Sequence, residues 1–268
     1  MSDATSTGRP IDISHFSNID ASQDPSQFIA FLEQVEQLGW LEAVREESFA
    51  RLALAPGQRM VEIGCGPGTA VGLLRERGIE AVGVDASRNM VEHARRKVPG
   101  AEFRHAAAAA LPFADRSQDG YRAERVFEHL HEPAKALSEA RRVLRPGGHI
   151  ALLDLDYELW TVDADNVELT QTLKLAMAGT VANPWIGRRF YALLHDAGFH
   201  DIRVSVLTHV LTSYEEAQPL LSAALQAGLS SGAVAEGVAD AWLREQRERS
   251  ERGRLCLVLP MFLASAFA

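Results

Sequence analysis

Three glycines spaced two apart, with an acid two residues ahead of the first, form the stretch of this chain best suited to hold a ligand. It reads Met60-Val61-Glu62-Ile63-Gly64-Cys65-Gly66-Pro67-Gly68-Thr69. Glycine has no Cβ and tolerates positive φ, so a ligand can come close to the backbone of such a turn. A helical pattern begins at Thr69, so unpaired N–H groups and the positive end of a helix dipole face the same spot. Glu62 beside the turn can accept from an ammonium group or organise the turn's N–H groups. These features point to a nucleoside-containing cofactor. The dinucleotide fingerprint requires G-x-G-x-x-G; here its third glycine position is Thr69, and the glycine falls one residue early, at Gly68.

Other residues carry chemistry further along. His129 and His131 follow the fourth predicted strand and are the candidate general bases, because histidine titrates near neutral pH. Asp154 and Asp156 end the fifth strand. Two carboxylates there could bind a divalent cation, but no third ligand is evident, so they are read as loop hydrogen-bonding groups and no metal site is predicted. Tyr157 and Trp160 come next and are candidates for a substrate wall. The Cys65 thiol, His195, His200 and His209 are read as structural.

Periodicity supplies the elements that must position these groups. Phe28, Phe31, Leu32, Val35 and Leu38, then Leu41, Val44, Phe49 and Leu52, predict helices across residues 26–53 with a break at Gly39. Pro56-Gly57 turns the chain into a strand over 59–63. A helix over 69–77, a strand over 80–84 ending at Asp85, a helix capped by Ser87 and running to 98, and a strand over 101–105 follow. Residues 120–124 form a weak fourth strand, Pro133 opens a helix to 144, and 149–155 is a strong fifth strand. This alternation predicts an α/β fold: a doubly wound parallel sheet with helices on both faces and right-handed crossovers. Ligands gather at the carboxyl edge of such sheets. Later come helices over 165–177 (with Asp165-Asn166-Val167-Glu168 as a capping box), 185–197, 213–227 and 232–251, and strands over 202–207 and 255–265. Residues 1–24 read as a flexible polar arm, and 25–268 as one domain. Segments 25–53 and 155–185 are expected to cap the sheet's carboxyl edge, with Phe16, Phe28, Tyr157 and Trp160 lining the substrate side and Phe31, Trp40 and Trp185 as further liners.

Bulk composition narrows the function classes. The chain has 268 residues and a formal charge of −9, with no basic stripe, which argues against a nucleic-acid partner. Its two cysteines, Cys65 and Cys256, lie far apart in sequence and suit a reducing compartment, hence an expected cytoplasmic location. Residues 1–10 lack an apolar signal-peptide core, and no run reaches the length of a membrane span, so no membrane partner is expected.

Glu62-Ile63-Gly64-Cys65-Gly66-Pro67-Gly68 resembles the first motif of class I S-adenosylmethionine (SAM)-dependent methyltransferases, and Val82-Gly83-Val84-Asp85 their second-strand motif. Leu111-Pro112-Phe113, Val126-Phe127-Glu128-His129-Leu130 and Arg142-Val143-Leu144-Arg145-Pro146-Gly147-Gly148 follow in matching order, as in the ubiquinone/menaquinone-biosynthesis-like (methyltransferase type 11) subgroup. The resemblance implies a Rossmann-like, mostly parallel seven-stranded sheet with an antiparallel C-terminal strand and a helical cap. It implies SAM as cofactor, with Asp85 holding the ribose hydroxyls. Glu62, Gly64, Cys65, Gly66 and Gly68 belong to the implied cofactor set, as do Ala86, Met90 and Glu124, and Ala107 and Ala108 on the adenine side. Arg45 is the candidate partner of the methionyl carboxylate; a solvated helix face is the alternative for it and for Arg51.

Two departures stand out: Ala106-Ala107-Ala108-Ala109-Ala110 replaces a segment that usually carries an adenine-binding acid, and Gly120-Tyr121-Arg122-Ala123-Glu124 replaces an apolar strand. The implied activity is in-line methyl transfer to a small, partly apolar or aromatic metabolite by a monomer or homodimer. A SAM-binding protein without methyl transfer and a nicotinamide-dependent oxidoreductase are the alternatives.

Overall fold

The computed structural model describes Phe16, residues 19–22 and residues 24–268. Most of the expected N-terminal arm therefore lies outside the described residues. Helices α1 (Pro25–Glu36) and α2 (Gly39–Leu52) precede the alternating region: β1 (Arg59–Ile63), α3 (Thr69–Glu76), β2 (Glu80–Asp85), α4 (Arg88–Lys97), β3 (Glu102–His105), β4 (Gln118–Glu124), α5 (Pro133–Val143) and β5 (Leu144–Leu155). The remainder is β6 (Thr161–Val162), α6 (Val167–Ala178), α7 (Ile186–Asp196), β7 (His200–Leu211), α8 (Tyr214–Ser230), α9 (Glu236–Glu251) and β8 (Leu257–Phe267).

The sheet runs β3-β2-β1-β4-β5-β8, parallel through β5 and antiparallel at β8. The short β6 and the long β7 both pair with β8, giving eight strands where seven were expected. The extra strand is two residues long and carries no periodicity from which it could be read.

Helices pack both faces of the sheet, as the alternation requires. α5 and α7 bury Leu137, Ala140, Ile186 and Phe190 against Tyr121, Ile150 and Phe262. On the other face α2, α3 and α4 bury Leu41, Val71 and Val91 against Met60, Ala81 and Leu153. A third core joins α6, α8 and α9 around Trp160, Leu173, Leu221 and Trp242, where Trp242 Nε1 donates to Thr170 Oγ1 at 3.0 Å. This cap is larger than the expected segment 155–185, because α8 and α9 belong to it. α6 starts one residue later than its predicted capping box: Asn166 Oδ1 accepts from Leu169 N at 2.9 Å, while Asp165 pairs with Arg249.

Two motifs separate in sequence meet in the fold. Arg142 on α5 donates to Phe113 O at 2.8 Å and Leu111 O at 3.0 Å, and its neighbour Glu139 accepts from Leu111 N at 2.7 Å. The Leu-Pro-Phe segment is thus fastened to α5 through its backbone.

Candidate active site

β1 ends at Ile63, and the chain turns through Gly64 and Gly66, at φ 58° and 48°, into α3. Asp85, at the end of β2, braces the turn. Its Oδ2 accepts from Gly66 N at 3.0 Å and its Oδ1 from Ser87 N at 2.8 Å. Each carboxylate oxygen has two lone pairs, so each keeps acceptor capacity. Burial raises the Asp85 carboxyl above its ordinary range, even though these two backbone N–H groups favour the ionised form. Such a carboxylate gains from further donors, and a vicinal diol supplies two.

The described part of the N-terminal segment lies across this region. Asp20 accepts from Ser87 Oγ at 2.5 Å, Arg88 N at 2.8 Å and Asn89 Nδ2 at 2.9 Å, at the N-terminus of α4. Against a desolvation cost, those bonds hold its carboxyl at about 2. Phe16 packs edge-on against Phe28 at 5.1 Å and on His129 at 5.8 Å.

A cavity of about 270 Å³ runs from the glycine turn to the helical cap. Glu62, Gly64, Cys65 and Gly66 line one end, with Asp85, Ala86, Met90 and Ala108 beside them. Arg45 and Glu124 also line it. Two predicted cofactor residues do not. A Cβ at Gly68 would lie 2.9 Å from Phe103 Cζ, so that glycine serves the packing of the turn on β3. In the alanine run, Ala106 and Ala108 face the cavity and Ala107 does not.

At the other end Leu155, Met177, Leu211, Leu220 and Leu259 form an apolar chamber with Tyr157 and Glu216. Phe16, Phe31 and Trp40 line the cavity, but Phe28 and Trp160 do not. Phe28 is buried with Ile19 and Met90, and Trp160 lies in the core of the cap, so both stand one layer behind the wall. Trp185 is 49% exposed. His129 lines the cavity, whereas His131 is exposed and outside it. Sequence reasoning missed Glu128, which neighbours His129, and the α8 wall.

The unusual fourth strand is explained by a buried ion network beside the turn. Along β4 successive side chains alternate between faces, so Gly120, Arg122 and Glu124 share one face while Tyr121 and Ala123 enter the core on the other. Arg122 stands opposite Glu62 of β1 in the parallel register. Its guanidinium bonds Glu62 and Glu124, and its Nε donates to Ser48 Oγ of α2 at 2.7 Å. One helical turn back on α2, Arg45 grips Glu124 with two bonds of 3.0 and 3.1 Å. Arg45, offered by the sequence as a partner for a cofactor carboxylate, therefore faces the cavity already paired. Asp156, for its part, forms an ion pair with Arg188, and Asp154 Oδ2 accepts from Phe127 N at 3.1 Å.

The two acids of the network differ. Desolvation opposes ionisation of Glu124, but Arg122 and Arg45 outweigh it and hold the carboxyl at about 2. Desolvation raises Glu62 to about 7, against the pull of Arg122, and its Oε2 has no hydrogen-bond partner among the described residues. An unfolded glutamate loses its proton near 4.5, so between about 4.5 and 7 the folded protein holds a proton that the unfolded chain has lost. Stability from this group is therefore present at low pH and falls as pH rises through that window. Relative to Glu62→Gln, which has no such proton, the wild type is expected to lose stability between pH 5 and 8. Urea denaturation of both proteins at the two pH values measures this, and a constant difference would exclude Glu62 as the titrating group.

Residues 61–152 match the family described as "Methyltransferase domain". Over that segment the chain carries a methyltransferase domain. It is 32% identical over 200 residues to a 37.1 kDa protein of a Streptomyces fradiae transposon, covering 72% of this chain and 58% of that protein. It is 34% identical over 148 residues to the demethylmenaquinone methyltransferase of Clavibacter sepedonicus, covering 50% of this chain and 60% of the other. The chain spans about half the length of the curated relatives it matches. Among solved structures, Haemonchus contortus phosphoethanolamine N-methyltransferase 2 in complex with S-adenosyl-L-methionine superposes with a TM-score of 0.61 at 18% identity, over 96% of this chain and 60% of that one. That likeness is one of fold. The family's cofactor is SAM, and the carboxylate, glycine turn and apolar slot of this domain fit a nucleoside. Among the described residues no helix is long and apolar enough to cross a membrane.

Proposed function

We propose that this methyltransferase domain transfers the methyl group of SAM to a small, partly apolar or aromatic metabolite. The observation that carries the reading is the continuous cavity, with a glycine turn and a ribose-type carboxylate at one end and an apolar chamber under the α6–α8 cap at the other. In this reading Asp85 accepts from the ribose hydroxyls, and Ala86, Met90 and Ala108 flank the adenine. Glu62 meets the ammonium end of the cofactor near Gly64. SAM supplies an activated methyl group, so the protein's work is alignment, exclusion of water and removal of a proton where the acceptor carries one. The chamber is lined by leucines and closed by aromatic rings, which supports an acceptor with an apolar body.

Titration calorimetry with SAM tests the cofactor half. Asp85→Ala is expected to weaken binding by about 1.5–3 kcal/mol, the range for hydrogen bonds to a charged group. Unchanged affinity would remove Asp85 from the ribose role. Incubation with methyl-labelled SAM and candidate acceptors tests transfer, and tight binding without transfer to any acceptor would sink the catalytic half.

A further inference from the structure

A second carboxylate group lines the cavity, on the segment that follows β4. β4 is followed by a single 3-10 turn, Phe127–His129, which carries Glu128. The turn is clamped on several sides. Phe127 N donates to Asp154 Oδ2, Asn183 N donates to Glu128 O at 2.8 Å, and Asn183 Nδ2 bonds Leu130 O. Glu128 is thus presented from a fixed backbone, which is what a group that must meet a reacting atom requires. The turn also abuts the glycine loop: a Cβ at Gly64 would fall 2.4 Å from Val126 Cγ2. Glu128, two residues further on, lines the same cavity as Gly64.

Glu128 is 3% exposed and lines the cavity, as does Tyr157. Its Oε1 lies 3.3 Å from His129 Nε2, and the Asp154 carboxyl is a further neighbour. Behind it the Asp154 carboxyl is fully buried and outside the cavity lining, with Oδ2 taken by Phe127 N. Two adjacent buried carboxyls cannot both be charged, so one proton is held between them. Burial, and then the neighbouring Glu128, push Asp154 well up. Glu128 pays desolvation too, but His129 and Arg125 beside it draw its carboxyl down. The proton therefore rests on Asp154, and Glu128 is the charged member facing the cavity. Burial, with Glu128 and Asp154 close by, raises the Tyr157 phenol well above its usual range, so Tyr157 stays neutral. Glu128 is thus a charged carboxylate fixed on the wall of a mostly apolar cavity, with His129, Asp154 and Tyr157 as its polar neighbours.

We propose that Glu128 is the proton acceptor of this site, and that the methyl acceptor presents an amine or hydroxyl nucleophile on an apolar body. This rests on the methyl-transfer reading. In the step, the lone pair of the acceptor's nitrogen or oxygen forms a bond to the methyl carbon as the carbon–sulfur bond breaks. The electron pair of that bond goes to sulfur, and the N–H or O–H proton goes to the Glu128 carboxylate. Asp154, whose Oδ2 accepts from Phe127 N, is a positioning residue.

The test uses the full chain loaded with S-adenosylhomocysteine and three probes of one shape: 2-phenylethylamine, 4-ethylphenol and ethylbenzene. At least one protic probe is expected to bind tenfold or more tighter than ethylbenzene. Glu128→Gln should level the three without changing the affinity for S-adenosylhomocysteine, which also reports that the variant is folded. Glu128→Asp, which keeps the charge, should restore part of the preference. Absence of any preference in the wild type, or a preference that survives Glu128→Gln, overturns the proposal. With methyl-labelled SAM and the preferred probe, Glu128→Gln should lower kcat about 100-fold or more, the usual share of a general base. A rate within tenfold of wild type counts against the assignment. Failure of the wild type to bind S-adenosylhomocysteine would instead strike at the methyltransferase reading itself.

Discussion

Arg122→Met is expected to destabilise the protein by about 3–5 kcal/mol at pH 8, the cost of breaking a buried ion pair by removing one partner. The guanidinium is fully buried and bonds Glu62, Glu124 and Ser48 at once, and it also lies 4.8 Å from the centroid of the Phe49 ring. Its removal affects the two acids unequally. Glu124 keeps the two-bond grip of Arg45 and stays ionised. Glu62 has no other cation bonded to it, and its carboxyl already titrates at about 7. In the variant Glu62 takes up a proton to still higher pH, so the loss should shrink at pH 5, where Glu62 is neutral in both proteins. Adding Glu62→Gln to Arg122→Met should recover part of the stability at pH 8, because the uncompensated charge is gone. Urea denaturation of the single and double variants at both pH values reads the result. A loss below about 1 kcal/mol, as for an exposed pair, would mean that the network carries little energy.

That network shows where sequence reasoning stops. The strands and helices around the glycine turn were legible because their signals are local: apolar alternation, Ser87 as a cap whose Oγ accepts from Met90 N at 3.2 Å, and Pro133 in a first turn. Asp85 was legible because it closes a strand beside the turn. Arg45 was legible as a residue near the site but not as a pair with Glu124, since the partners are 79 positions apart and only the packing of α2 on β4 joins them. Arg122 looked like a defect in an apolar strand until register placed it opposite Glu62. Phe28 and Trp160 were plausible wall residues by type, and only tertiary depth puts them a layer back. α8 lines the chamber with Pro219, Leu220 and Ala223, but a helix face turned to a cavity has the same apolar period as one turned to a core. Glu128 was overshadowed by His129 because histidine titrates near neutrality unaided, whereas a glutamate becomes chemically notable only through burial and neighbours.

The glycine turn makes the second large prediction, a split between two alanine substitutions that look alike in sequence. Gly64 and Gly66 both have positive φ, 58° and 48°, so either alanine carries a backbone penalty of about 1–2 kcal/mol. Their surroundings differ. A Cβ on Gly64 would sit 2.4 Å from Val126 Cγ2, inside the packing between the turn and the segment that follows β4. Overpacking there adds about 1–3 kcal/mol, so Gly64→Ala should cost about 2–5 kcal/mol in all. Val126→Ala in the same chain should return the packing share and leave the backbone share. Among the described residues a Cβ on Gly66 meets only Leu32 Cδ1, at 3.7 Å, and both residues line the cavity. Gly66→Ala should therefore lose only the backbone share of about 1–2 kcal/mol, while its methyl group takes up space at the cofactor end. Thermal melts should rank Gly64→Ala far below Gly66→Ala, and SAM calorimetry on the folded variants should show at least a tenfold loss for Gly66→Ala. Equal melting temperatures for the two variants would contradict the packing argument. Full SAM affinity in Gly66→Ala would mean that the cofactor does not approach the turn there.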